Sequence, residues 1–137
     1  MNDQRETGDL DRRTVLLLGL AGASTLIAGQ SASVFAQERK GVEIKILREG
    51  PSIIPGFAKV QVRDAVFEPG GTTGAPTAMK NAMICHCIAG TLEVNQEGKT
   101  FTADTGYVWT CNVGAMESST NKGTTQAIMR IFDLLPS

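Results

Sequence analysis

The 137-residue sequence has almost no excess charge of either sign: 13 Lys and Arg stand against 14 Asp and Glu, and no basic stripe runs along it. Nucleic acid is therefore not an expected partner. Histidine occurs once, at His86, so there is no histidine pair. No nucleophile–base arrangement is visible either, which leaves metal-free catalysis little to build on. No apolar run reaches the roughly 20 residues of a membrane-spanning helix. Aromatic residues make up only 5% of the chain, and neither a convincing amphipathic helix nor a repeat is found. What is present is 15 glycines and a series of short alternating apolar runs. That combination suits an all-β domain with many turns.

The first segment belongs to processing rather than to the fold. It reads MNDQRETGDLDRRTVLLLGLAGASTLIAGQSASVFAQ: a polar start, the pair Arg12-Arg13, a mild apolar stretch from Val15 to about Gly29, and small residues around Val34-Phe35-Ala36. DRRTVLL resembles a twin-arginine (Tat) export signal, although Asp11 precedes the pair and Val15 stands where Phe is commonest. An ordinary Sec-type leader is the alternative. Residues 1–36 are thus expected to be a cleavable signal segment and 37–137 the mature domain, periplasmic or otherwise exported. The Tat machinery would be its first partner. No cysteine directly follows the apolar run, so no lipid anchor is indicated and no stable membrane attachment is expected after cleavage.

In the mature part, VEIKILR (42–48) and FAKVQVRDAVF (57–67) alternate as half-buried strands do. EGPSIIPG between them is turn chemistry, and residues 70–76 read as a loop. Met83 to Ile88 and Thr91 to Val94 flank a tight turn at Ala89-Gly90, and Glu97-Gly98 closes a hairpin. Tyr107 to Cys111 and Gln126 to Leu134 are further strands, with NVGAMESSTNKG between them reading as loop. Short strands at this spacing argue a sandwich or barrel.

The glycine spacing from Phe57 onward resembles that of a small single-domain cupin, a jelly-roll β-barrel. The first cupin motif is Gly, five residues, His-x-His, three or four residues, Glu, six residues, Gly. Here Gly71 and Gly90 frame Thr77, Met79 and Met83 at the three ligand positions. The second motif is Gly, five residues, Pro-x-Gly, two residues, His, three residues, Asn. Here it runs from Gly106 through Asn112-Val113-Gly114 to Glu117, in place of the histidine, and Asn121. The resemblance implies the fold, but none of the four usual ligands is retained in kind. The oxygenase, isomerase or oxalate-degrading chemistry that depends on them does not carry over directly.

That frame turns the Met83 face of AMICHCIAG inward. Thr77, Met79, Met83, Cys85, Cys87 and Glu117 then share the cavity, and His86 falls on the outer face between Ile84 and Ile88. Four sulfurs and a carboxylate suit a copper or zinc ion, which gives Met79, Met83, Cys85, Cys87 and Glu117 as candidate metal ligands. Methionine and cysteine also serve as apolar filling, and residues i and i+2 of a strand lie about 6.6 Å apart, a poor span for two cysteines on one ion. Glu117 is the one candidate acid or base. Cys111 leaves an odd cysteine count, and a bridge from it to Cys85 or Cys87 requires it to face inward.

Three functions follow from this reading. The first is an exported cupin-like protein with a degenerate metal site that binds a small ligand in its cavity. The second is a soft-metal protein with copper or zinc on Met and Cys, and the third is a cupin oxygenase or isomerase with unorthodox ligands. Cupins often pair through outer strands, so a homodimer is the expected assembly.

Overall fold

The computed structural model describes residues 39–137. The leader expected over 1–36, with its cleavage point, lies outside the described residues. The described chain is all strand and turn, in nine strands: β1 Lys40–Pro51, β2 Phe57–Thr72, β3 Thr77–Ala78, β4 Ala82–Ala89, β5 Thr91–Gln96, β6 Lys99–Asp104, β7 Val108–Cys111, β8 Met116–Thr120 and β9 Ala127–Pro136. One layer runs β1-β2-β9-β4-β7 and the other β3-β8-β5-β6, every pairing being antiparallel. The layers are stitched where Thr72 of β2 meets Thr120 of β8, with the two hydroxyls 2.8 Å apart. The result is one sheet curled into a nearly closed jelly-roll barrel.

The alternation read from the sequence decides which side chains fill it. Met83, Cys85 and Cys87 of β4 are buried inside, and Ile84 and His86 point outward. Ala127, Met129 and Ile131 of β9, Leu92 and Val94 of β5, Phe67 of β2 and Trp109 of β7 complete the core. Each large apolar side chain fully buried here contributes about 1.5–3 kcal/mol. The glycines of the cupin spacing have steric reasons to be there. A Cβ at Gly90 would stand 2.7 Å from the Gln126 carbonyl oxygen, and its φ of +69° is left-handed. A Cβ at Gly71 would lie 2.5 Å from the Gly41 carbonyl oxygen, where β1 crosses β2. Asn121 is fully buried and binds the Phe67 and Thr125 carbonyls and the Gly123 amide, so its place in the motif is structural.

Two segments differ from the sequence reading. MESST forms β8, the strand between β3 and β5, and β2 continues to Thr72 rather than ending in a loop at Gly70. The inward residues of β8 are Glu117 and Ser119, both buried and both polar. An alternation of polar with polar gives no hydrophobic signal.

Candidate functional site

The barrel mouth holds a cleft of about 400 Å³. Its apolar wall is Ile44 and Ile46 from β1, with Met79 and Met83 opposite. Among the described residues, Arg39, Arg63 and Lys80 line it with one counter-charge, Asp133, and Gln61, Asn81 and Thr77 add neutral polar groups. Arg63 points inward because it shares the β2 face of Ala65 and Phe67. It grips Asp133 of β9 in a fork, with Nε to Oδ2 at 2.6 Å and Nη2 to Oδ1 at 3.2 Å. Asp133 is only 2% exposed, whereas the Arg63 side chain keeps 23% of its surface open. The arginine thus holds its partner in the wall while presenting surface to the cleft. A second Arg–Asp fork, Arg130 on Asp64, lies on the outer face of the same two strands.

A second cluster lies inside the barrel. Cys85 on β4, Cys111 on β7 and Glu117 on β8 are all buried, and one ligand atom from each lies within 4.8 Å of the others. The register pairs Cys85 with Trp109 and Met83 with Cys111, so the two cysteines are diagonal neighbours on adjacent strands. Glu117 reaches them from the other layer after the turn at Asn112–Gly114. One carboxylate oxygen, Oε2, collects three donors: Cys111 Sγ at 2.7 Å, Trp109 Nε1 at 3.3 Å and Gln96 Nε2 at 3.3 Å. Gln96 Nε2 also donates to Cys111 Sγ at 3.2 Å and to the Thr110 carbonyl at 2.8 Å. Burial pushes the Glu117 carboxyl up from its ordinary range, against the pull of the Cys111 and Trp109 hydrogen bonds. The Cys85 thiol is raised by its bond to Cys111, by burial and by the nearby anions, with the Arg63 charge opposing them.

The six residues expected to share one cavity divide between these places. Thr77, Met79 and Met83 line the mouth, with Thr77 exposed on β3 opposite Glu117 of β8. Cys85 and Glu117 belong to the inner cluster. Cys87 is buried on the same face, but its Sγ faces the Ala89 and Gly90 carbonyls, at 3.5 and 3.4 Å, and burial raises its thiol too. His86 is half-buried on the outer face, opposite Arg130 of β9 and Val108 of β7. Cys111 does face inward, and all three cysteines are free thiols. Sequence reasoning did not join Cys111 to Cys85 and Glu117, and it missed Gln96, Arg63 and Asp133. The inward polar residues of otherwise apolar-facing strands were the available signal.

Comparison with solved structures gives the fold its name. The cupin domain of an XRE-family transcriptional regulator from Enterobacter cloacae superposes with a TM-score of 0.57 at 13% identity, over 72% of this chain and 100% of that one. KdgF from Halomonas sp. gives 0.56 at 18% identity, over 69% and 79%. An oxalate oxidase gives 0.54 at 21%, over 71% of this chain and 53% of that one. The fold is the cupin barrel. No protein-family model matches the sequence, and no curated protein matches it.

Cupins ordinarily carry a metal ion on histidines and a carboxylate at the positions held here by Thr77, Met79, Met83 and Glu117. The residues present do not fit it. A neutral hydroxyl and two thioethers are poor ligands for Fe, Mn or Ni ions, Thr77 is exposed, and the Glu117 carboxylate is turned onto Cys111, Trp109 and Gln96.

Proposed function

We propose that this is an exported cupin-fold binding protein whose barrel mouth takes a small anionic organic molecule. The observation that carries the reading is the charge of the mouth: among the described residues Arg39, Arg63 and Lys80 stand against Asp133, beside an apolar wall of Ile44, Ile46, Met79 and Met83. A cleft of this volume matches the lower range of small-molecule sites. Arg63 is held rigidly by Asp133, and a fixed guanidinium suits a carboxylate, sulfonate or phosphate group. The methionines adapt to the apolar part of such a ligand.

Export rests on the leader, with its Arg12-Arg13 pair followed by a mild apolar stretch. A homodimer completes the reading. Ile84 (40% exposed) and Val108 (55%) lie together on the outer face of β4 and β7, and among the described strands β7 pairs only with β4. An oxygenase or isomerase reading has less support, because three of the four usual ligand positions hold a hydroxyl and two thioethers.

The test is thermal stabilisation by small organic anions, each compared with its neutral amide or ester. A ligand at a hundredfold excess over its Kd stabilises by about 2.7 kcal/mol. Stabilisation by acids and not by their neutral analogues is expected, weakening with salt and in a Lys80→Ala, Arg39→Ala double variant. Equal stabilisation by the neutral analogues, or indifference to the double variant, would overturn the reading. For export, cell fractionation should show the protein outside the inner membrane, and an Arg12→Lys, Arg13→Lys variant should be retained inside.

A further inference from the structure

We propose that Cys85, Cys111 and Glu117 form a metal site for a divalent ion of borderline-soft character, with zinc as the type. Its three ligands are not among the residues that line the cleft at the mouth, and the proposal does not depend on that reading.

The strand register brings the ligands together. Two cysteines on one strand, such as Cys85 and Cys87, point the same way but lie about 6.6 Å apart along it. The barrel instead pairs Cys85 with a cysteine on the neighbouring strand and brings a carboxylate to both from the opposite layer. In a tetrahedral shell with Zn–S near 2.3 Å and Zn–O near 2.0 Å, ligand atoms sit about 3.5–3.8 Å from one another. The three atoms already lie within 4.8 Å of one another. Small side-chain rotations therefore bring them onto one ion, with the fourth position left open.

The surroundings fit anionic ligands. Gln96 Nε2 donates to both Cys111 Sγ and Glu117 Oε2, and Trp109 Nε1 donates to the same Oε2. Outer groups that hydrogen-bond to ligand atoms in this way fix their orientation around a metal. The donor set selects the ion. Two thiolates favour zinc and Cu(I), and the harder carboxylate tips the choice toward zinc.

A Cys85–Cys111 disulfide is the competing use of the same pair. Diagonal residues on adjacent antiparallel strands are about 7–8 Å apart, whereas disulfides rarely span more than about 6.8 Å between Cα atoms. A shared ion bridges that separation without moving the backbone.

The experiment uses reduced, chelator-treated protein and no organic ligand, so its result is independent of the mouth reading. Titration with Co²⁺ should produce thiolate-to-cobalt charge-transfer absorption saturating at one equivalent, displaced by one equivalent of Zn²⁺. Zinc should protect Cys85 and Cys111 of the wild-type protein from alkylation, mapped by mass spectrometry, and leave the rate at Cys87 unchanged. Cys85→Ser and Cys111→Ser should each abolish the charge-transfer band, while Cys87→Ser retains it. Gln96→Ala should weaken zinc binding about 10–100-fold with the band intact. The alkylation map needs no variant, so a failure of the serine variants to fold does not affect it. No cobalt band at one equivalent, zinc protection that includes Cys87, or a band that survives Cys85→Ser overturns the proposal. So does a Cys85–Cys111 disulfide in protein purified without reductant that re-forms in the presence of zinc.

Discussion

Arg63 offers the sharpest test of how the barrel interior is held together. The substitution Arg63→Met keeps the length and apolar stem of the side chain and removes the guanidinium. Asp133, 2% exposed and bound by two forked hydrogen bonds to Arg63, is then left without its partner. Breaking a buried pair from one side costs about 3–5 kcal/mol, because an uncompensated charge stays behind. An exposed pair is worth only about 0–1 kcal/mol. A domain of this size has about 5–15 kcal/mol in all, so the loss is a large share of it. A fall in Tm of about 12 °C or more is expected. Trp109 is the only tryptophan and is buried beside Phe101 and Tyr107, so its emission follows urea unfolding directly. The double variant Arg63→Met, Asp133→Leu should regain most of the loss, since the penalty comes from the stranded charge and not from the missing pair. A single-variant loss no greater than about 1 kcal/mol, or a double variant less stable than the single, would refute the reasoning.

Three further outcomes are expected. The Glu117 carboxyl is raised in the folded state, so in metal-free protein its stabilising contribution is full below about pH 4.5 and is lost as pH rises through the folded value. Urea unfolding between pH 4 and 8 should show that decline, at no more than about 1.4 kcal/mol per pH unit, and Glu117→Gln should flatten it; parallel slopes in the two proteins would contradict the assignment. Gly90→Ala should destabilise by more than Gly98→Ala, although both glycines have positive φ, because only at Gly90 does the new Cβ meet backbone. The shared conformational term is on the order of 1 kcal/mol, and equal losses at the two sites would remove the steric argument. Light scattering of the wild-type protein should give a dimer that Ile84→Glu or Val108→Glu dissociates, and a wild-type monomer at high concentration would exclude it.

Much of the fold was legible because the strands that bury one face write a period of two into the sequence. FAKVQVRDAVF and AMICHCIAG are such stretches, and the latter's division into an inward Met83, Cys85 and Cys87 and an outward Ile84 and His86 is what the barrel contains. β8 carried no such mark, since its inward positions are Glu117 and Ser119, both polar, and Glu117 is held by Cys111 and Trp109 of β7 and Gln96 of β5. The site was legible only in part for the same reason. Which sulfur meets Glu117 depends on the β4–β7 register, and composition says nothing about register. Cys111 was undecidable until the inward face of β7 was known. Arg63 and Asp133 are 70 residues apart in the chain, and each reads alone as a solvated charge on a half-buried strand.

The frame residues of the cupin spacing and its ligand positions answer to different physical demands. Gly71, Gly90 and Asn121 remain because backbone crossings and a buried loop need them whatever the barrel binds. The ligand positions carry no such constraint, and three of the four hold the hydroxyl and thioethers that line the mouth. Glu117, at the fourth, lies inside with its carboxylate beside Cys111 and Cys85. Charge is sorted accordingly, with cations around the opening and potential anions around Trp109 and Gln96. Arg63 lies between the two, its partner Asp133 in the wall and its field reaching Cys85. On the two proposals Arg63 serves both places, since its charge attracts an anion at the opening and favours the thiolate of Cys85 inside, and the fork with Asp133 tempers it.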